Sequence, residues 1–273
     1  MTDAPDPGLL ADIEQVALEL ATLGGAECRA TLGGMLTLSY KGGDPQVLTD
    51  PVSEVDQRVE AMIRARLDER FPDHDIIGEE VAEHTGRDSD WIWAVDPVDG
   101  TTNFVNGFPL FASSVGVLYR GRPVAGAVWC STGHRLVPGV YHARQGGGLS
   151  FDGEPVTAAP NPAVRRRLAG VPETGPKGSL PWESRKTGSA AIECAFTAIG
   201  LLQVARFGSP NLWDVAGGMA LVEASGRCAY ERRDDGWHRF DGFATDSGDL
   251  RDWRRRIILG EPQAAAAMVE GAI

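Results

Sequence analysis

The stretch Trp91-Ile-Trp-Ala-Val-Asp96-Pro-Val-Asp99-Gly-Thr-Thr-Asn-Phe104 constrains this chain more than any other. Its first five residues are apolar, and the run breaks at Asp96. Pro97 drives the residue before it into an extended conformation and rules out a helical continuation. Asp99-Gly100 is turn chemistry. A turn of that kind folds the carboxylates of Asp96 and Asp99 towards one point, with the Val98 carbonyl between them. Three hard oxygens from four residues suit Mg²⁺. The amides of Gly100 and Thr101 then open a new segment, where backbone N–H groups bind phosphate oxygens. An isolated Asp-Gly is a solvated corner. This string, set among Trp91, Trp93, Phe104 and Phe108, reads instead as a buried site.

Three more acidic clusters stand where hydrophobic elements end: Asp50–Asp56, Glu79-Glu80 after Gly78, and Asp214 after Trp213. The pattern around them alternates helix and strand. Leu9, Ile13, Val16, Leu20 and Leu23 share one helical face, and Gly24-Gly25 is expected to stop that helix. Thr31–Tyr40 reads as a strand entering a loop over Lys41–Asp50. Ser53 caps a helix running to Arg70 with Val55, Val59, Ile63 and Leu67 inward. Asp75–Gly78 and Trp91–Val95 read as strands. Ala112–Tyr119 and Pro123–Cys130 form a hairpin across Arg120-Gly121-Arg122, with strand-like pieces continuing to Val156. Asn161–Lys186, punctuated by proline, reads as a loop or junction. Ser189–Ile199, Trp213–Ala224 and the tail from Pro262 read as helices. Gly217 and Gly218 inside a helix cost about 1 kcal/mol each relative to alanine, which close packing against another element would explain. Periodicity leaves α/β and α+β both open.

Trp93–Phe104, as W-x-x-D-P-x-D-G-T-x-N-F, resembles the first signature of the inositol monophosphatase family. Trp213–Gly218, as W-D-x-A-x-G, is similar to its second, and the other two acidic clusters stand in the family order. The resemblance spans roughly residues 10–260. It implies the α-β-α-β-α sandwich of the inositol monophosphatase and fructose-1,6-bisphosphatase type, as a single domain over residues 1–273 with sub-lobes near 1–156 and 157–273. It implies Mg²⁺-dependent hydrolysis of a small phosphate monoester by metal-activated water. Asp96 would bridge two metals, Glu79 and the Val98 carbonyl would complete one site, and Asp99 and Asp214 the other. Thr101 paired with Asp56 would orient and deprotonate the attacking water, and Glu79 is counted with them as catalytic. Gly100 and Thr101 amides would hold the phosphate, with Ser189, Ala190, Arg206 and Asp214 as further substrate contacts. A homodimer and lithium sensitivity are implied as well. Glu79 and Glu80 point opposite ways in an extended chain, and family order selects Glu79. For Asp56 and Asp214 a plain helix-capping role stays open beside the catalytic one.

Charge agrees with a metal-dependent reading. Acidic residues outnumber basic ones 38 to 26, for a net charge of -12, a field that repels nucleic acid and anionic membranes. It would repel an anionic substrate too, until cations neutralise the gathered carboxylates. Phosphate-monoester hydrolysis is slow because charge builds on the transferring group, which metal ions neutralise. The histidines are scattered without H-E-x-x-H, so oxygen ligands are expected. The four cysteines show no zinc or redox spacing and read as free thiols. No apolar run approaches the roughly 20 residues of a membrane helix, and the acidic N-terminus reads as no targeting signal. A cytoplasmic protein with no nucleic-acid or membrane partner is expected.

Departures from the family leave the substrate open. Asn161–Lys186 looks short, which implies a more open leaving-group pocket or one completed by a second subunit. Where inositol-binding relatives carry an acidic residue before the Trp-Asp pair, this chain has Arg206, which suits a second phosphate or a carboxylate or is an ordinary surface arginine. Lys41 stands in the loop where relatives often place a lysine near the metals. The leading expectation is an inositol or related sugar phosphate. The alternatives are a bisphosphorylated ligand (3′-phosphoadenosine 5′-phosphate or fructose 1,6-bisphosphate), histidinol phosphate, or a non-catalytic regulatory role.

Overall fold

Asp6 caps the first helix, its carboxylate accepting from the Leu9 amide at 2.9 Å, and Pro7 occupies the first turn where no N–H is needed. In the computed structural model, which describes residues 4–40, 51–81, 89–156, 161, 163–164, 167–171 and 181–271, that helix, α1, spans Pro7–Thr31. Gly24-Gly25 does not stop it. A Cβ on Gly24 would lie 2.2 Å from Ser113 Oγ, and one on Gly25 2.2 Å from the Trp129 ring. Both glycines serve close approach to a sheet. The expected strand at Thr31–Tyr40 is confined to β1, Leu38–Tyr40, which pairs with β2, Pro51–Ser53. The expected loop at Lys41–Asp50, with Lys41, lies outside the described residues.

Helix α2 covers Glu54–Arg70, capped by Ser53 and buried along Val55, Val59, Ile63 and Leu67. Strands β3 (Asp75–Gly78) and β4 (Trp91–Asp99), the short helix α3 (Thr101–Val105), then β5 (Ala112–Tyr119), β6 (Arg122–Cys130), β7 (Gly139–Arg144), β8 (Ser150–Phe151) and β9 (Glu154–Pro155) follow. β3 to β9 form one sheet in sequence order, antiparallel except for the β3–β4 pair. The β5–β6 hairpin turns on Arg120 and Gly121, both at positive φ (51° and 77°), the backbone a two-residue hairpin requires.

The region expected to be a loop, Asn161–Lys186, contributes two strands, β10 (Leu168–Gly170) and β11 (Glu183–Arg185), which pair in parallel. Most of Pro172–Pro181 lies outside the described residues. Helix α4 (Ala190–Ala198), β12 (Val204–Phe207), α5 (Leu212–Ala224), β13 (Cys228–Arg233), β14 (Gly236–Arg239), β15 (Ile257–Gly260) and α6 (Pro262–Glu270) complete the order. The second sheet runs β11-β10-β12-β15-β13-β14.

The elements stack in five layers. α1 and α2 cover one face of the first sheet, and α4 and α5 fill the space between the two sheets. α6 covers the far face of the second. This is the α-β-α-β-α sandwich. Two faces of the first sheet bury separate apolar cores, one with Ile13, Leu20, Ile63 and Trp93, the other with Tyr141, Ile192, Leu212 and Met219. α5 lies between sheets, so it is apolar nearly all round, as a buried helix must be. Its approach to the first sheet is backbone to backbone. A Cβ on Gly116 or Gly126 would meet Gly217 backbone atoms at 2.5 and 2.3 Å, and one on Gly218 would meet Cys194 Cβ at 2.2 Å. That contact accounts for the two helical glycines. All four cysteines are buried and free. Trp93 is fully buried, whereas Phe108, expected to enclose the site, is 51% exposed.

Gly25→Ala should lower stability by about 1–3 kcal/mol through overpacking against Trp129, although alanine is the better helix former by about 1 kcal/mol. Urea unfolding checks this; an equal or higher midpoint would show that the helix gain outweighs the clash.

Candidate active site

Pro97 shapes the centre of the site by removing a ladder donor inside a strand. β4 does not end at Asp96 as expected. It continues to Asp99 across a bulge, Asp96 facing Ser114 on β5 while Asp99 faces Ala112. Pro97 and Val98 of β4 thus oppose the single Ser113 of β5. Without the extra residue, side chains three apart would point to opposite faces; with it they share one. Asp96 and Asp99 are both buried, 1% and 8% exposed. Gly100 follows at φ 86° and starts α3.

The other acidic residues arrive from separate elements. Glu79 follows β3, its amide bonded to the Val95 carbonyl at 3.2 Å. Glu60, fully buried on α2, accepts from the Glu80 amide at 2.7 Å and the Val81 amide at 3.2 Å, fixing that turn. Asp214 sits in the first turn of α5 as N3, not as the cap. Asn211 is the cap, and its amide donates to Asp214 Oδ2 at 2.7 Å. Glu79, Asp96, Val98, Asp99, Gly100, Thr101 and Asp214 line one cavity of about 480 Å³, together with Thr102, Gly188, Asn211, Trp213 and Arg254. Small-molecule sites typically have roughly 300–1,000 Å³. A smaller hollow of about 210 Å³ at the other end of α5, beside Glu223 and Gln145, gathers no such set of carboxylates.

Asp56 stands behind Thr101 and does two jobs. Oδ2 accepts from the Ser53 amide at 2.9 Å, closing the capping box of α2, and Oδ1 lies 3.1 Å from Thr101 Oγ1. The same hydroxyl is 2.8 Å from the Val98 carbonyl. One hydroxyl proton therefore has two acceptors. Asp99 is held by the start of α4: Ser189 Oγ donates to it, as do the Ala190 amide at 3.2 Å and the Ala191 amide at 2.7 Å. Thr187 and buried Glu193 brace that turn, the Thr187 amide donating to Glu193 at 3.0 Å. Asn103 ties the two loops together, donating to the Leu110 and Thr187 carbonyls at 2.6 and 2.8 Å.

Ser189 and Ala190 thus touch Asp99 and do not line the cavity. Arg206 lies on β12 opposite Ile258 and does not line it either. Arg254, which carries no motif, does. Glu60, Glu193 and Asn211 were also unread in the sequence; the i, i+3 spacing of Asn211 and Asp214 was the one available signal.

Burial disfavours charge on Asp56, Asp96, Asp99 and Asp214. It is the largest cause for Asp96, whose pKa is raised well above the ordinary range, with Glu79, Asp99 and Asp214 adding like-charge repulsion. Asp99 is pushed up to about 7, by burial and then by Asp214, against the three donors from α4. Asp214 is raised to about 6, again by burial first, with Arg254 lowering it. Asp56 is raised by burial against its hydrogen bonds from Ser53 and Thr101.

A family model described as the inositol monophosphatase family matches residues 9–264. The chain belongs to the inositol monophosphatase family. It is 33% identical over 237 residues to a chloroplastic phosphatase IMPL1 of Arabidopsis thaliana, across 80% of this chain and 62% of that relative's length. It is 31% identical over 246 residues to inositol monophosphatase 1 of Solanum lycopersicum, across 82% and 86% of the two chains. An IMPase of Thermotoga maritima superposes with a TM-score of 0.73 at 23% identity, covering 95% of this chain and 96% of that one, a likeness of fold. Among the described residues no helix is long and apolar enough to cross a membrane.

Asp99 and Asp214 bind protons in the folded chain at pH values where the unfolded chain has lost them. Between the ordinary carboxylate value of 3.8 and about 7, folding takes up protons, so stability falls as pH rises through that window. With chelator present, the melting temperature should drop from about pH 5 to about pH 8, and Asp99→Asn should flatten the drop. A wild-type curve as flat as the variant's would contradict the assignment.

Proposed function

We propose that this protein is a Mg²⁺-dependent phosphomonoesterase acting on a small phosphorylated polyol or sugar, such as an inositol phosphate. The observation that carries the reading is the gathering of Glu79, Asp96, Asp99 and Asp214 on one cavity beside the Thr101–Asp56 pair. The donor set fits a hard divalent cation. It is all oxygen, Glu79, Asp99 and Asp214 each raise the pKa of Asp96, and Asp96 Oδ1 is a buried atom without a hydrogen-bond partner among the described residues. As placed, the carboxylates form no three-ligand cluster among the described residues. Asp99 is turned onto α4 and Asp214 onto Asn211, the neutralising donors each finds within the chain.

Glu79, Asp96, the Val98 carbonyl, Asp99 and Asp214 would hold Mg²⁺. Bound there it supplies charge neutralisation on the phosphoryl oxygens and lowers the pKa of a water. The chain's own residues do the rest. Gly100 and Thr101 present their amides to the phosphate. Thr101 Oγ1, positioned by Val98 and Asp56, orients the attacking water and passes its proton to Asp56. A carboxylate with a raised pKa is the better base near neutral pH. The new P–O bond forms to that water, the ester P–O bond breaks, the departing alkoxide takes a proton from solvent water, and Asp56 returns its proton to solvent. Ser189 and Ala190 enter as positioning residues, holding Asp99. No side chain has to become a covalent nucleophile.

Phosphate release from inositol 1-phosphate, fructose 1,6-bisphosphate, 3′-phosphoadenosine 5′-phosphate, histidinol phosphate and NADP, each with Mg²⁺ and with chelator, tests the reading. Release from at least one, confined to the Mg²⁺ arm, is expected. Silence throughout from folded protein in Mg²⁺ would sink it. Asp96→Asn should keep the fold and lose several kcal/mol of charge stabilisation, about 10³-fold or more in turnover. Thr101→Val, which keeps the volume and removes the hydroxyl, should cost roughly 10²–10⁴-fold in kcat. Near-normal turnover in either folded variant would refute that residue's role.

A further inference from the structure

Arg254 has no part in this chemistry, yet it lines the same cavity. Among the described residues that line it, Arg254 is the single cation; the other ionisable groups are Glu79, Asp96, Asp99 and Asp214. Its guanidinium lies over the Trp213 ring, 5.4 Å from the centroid. Nη1 donates to the carbonyls of Arg251 and Trp253 at 2.9 and 2.7 Å. These contacts hold the end of a long, exposed side chain in one place, so little ordering is left for a ligand to impose. The neighbouring Arg255 reaches Glu231 at 3.3 Å. No carboxylate lies within ion-pair distance of Arg254 among the described residues, and Nε and Nη2 have no partner there. A planar guanidinium with two donors to spare matches the paired oxygens of a phosphate or carboxylate.

We propose that Arg254 is a specificity-determining residue that binds a second anionic group on the alcohol portion of the substrate. The inference rests on the phosphatase reading and narrows it: the favoured substrates are phosphate monoesters whose leaving alcohol itself carries a phosphate or a carboxylate. The competing account gives Arg254 a purely electrostatic task, to offset the charge of Asp214. Such a task serves every substrate alike, so the two separate in a ratio.

The test compares kcat/KM with Mg²⁺ for two matched pairs: inositol 1-phosphate against inositol 1,4-bisphosphate, and glycerol 1-phosphate against 3-phosphoglycerate. In the wild-type protein the anionic member should lead in at least one pair. In Arg254→Gln that lead should shrink roughly 10–100-fold, the loss of one charge-assisted pair, and Arg254→Lys should keep part of it. A response in the inositol pair alone identifies phosphate as the ligand, and in the glycerol pair alone, carboxylate. Equal losses on both members of each pair, an unchanged ratio, or no wild-type lead would overturn the role of Arg254 and leave the phosphatase reading standing. Absence of Mg²⁺-dependent release from all four compounds by the folded wild-type protein would overturn both. Circular dichroism of the variants confirms that each is folded.

Discussion

Four carboxylates brought together on one cavity, two of them buried, repel one another, and the fold is organised around holding them there. Strand β4 supplies Asp96 and Asp99, the turn after β3 supplies Glu79 and the start of α5 supplies Asp214, and most have a dedicated restraint. Asp99 takes donors from the start of α4. Asp214 closes a capping box with Asn211. The turn carrying Glu79 is fixed by buried Glu60. Asp96 is the exception: burial and three neighbouring carboxylates oppose its charge, and one of its oxygens is unsatisfied. Folding such a cluster costs stability, which structures accept where function demands it.

The restraints work because the scaffold beneath them is close-packed. α5 is pressed against the first sheet through Gly116, Gly126 and Gly217, and against α4 through Gly218 and Cys194. Those contacts seat the helix whose first turn carries Asp214. The bulge at Pro97 sets Asp96 and Asp99 on one face of β4 in the same sheet. Asn103 then ties the loop after α3 to the turn before α4.

Much of this was legible in the sequence because it obeys short-range rules. The apolar run into Asp-Pro-Val-Asp-Gly announced the site, Ser53 announced α2, and Arg120-Gly121 announced the hairpin. What escaped depends on distant partners. Gly24-Gly25 reads as a helix stop until Ser113 and Trp129 arrive from another element. The strands of the second sheet are mostly three to six residues long. Such short runs give periodicity little to work on, and β10 and β11 flank a proline-rich stretch that reads as loop. Ser189 looked like a substrate contact because nothing local reveals that its hydroxyl turns to Asp99. Arg254 belongs to no pattern at all; only folding brings it beside Trp213.

The glycine seam under α5 divides the molecule's capacity to change. Where backbone meets backbone there is no side chain to repack: a Cβ on Gly126 would first meet the O, C and Cα atoms of Gly217, none of which a side-chain change could move aside. Arg254, exposed and resting on one ring and two carbonyls, carries no such obligation. New preferences for the alcohol half of a substrate can therefore be sampled at that edge by single substitutions, while the apparatus that handles the phosphate stays locked to the core. A scaffold partitioned in this way can diversify its ligands without renegotiating its chemistry.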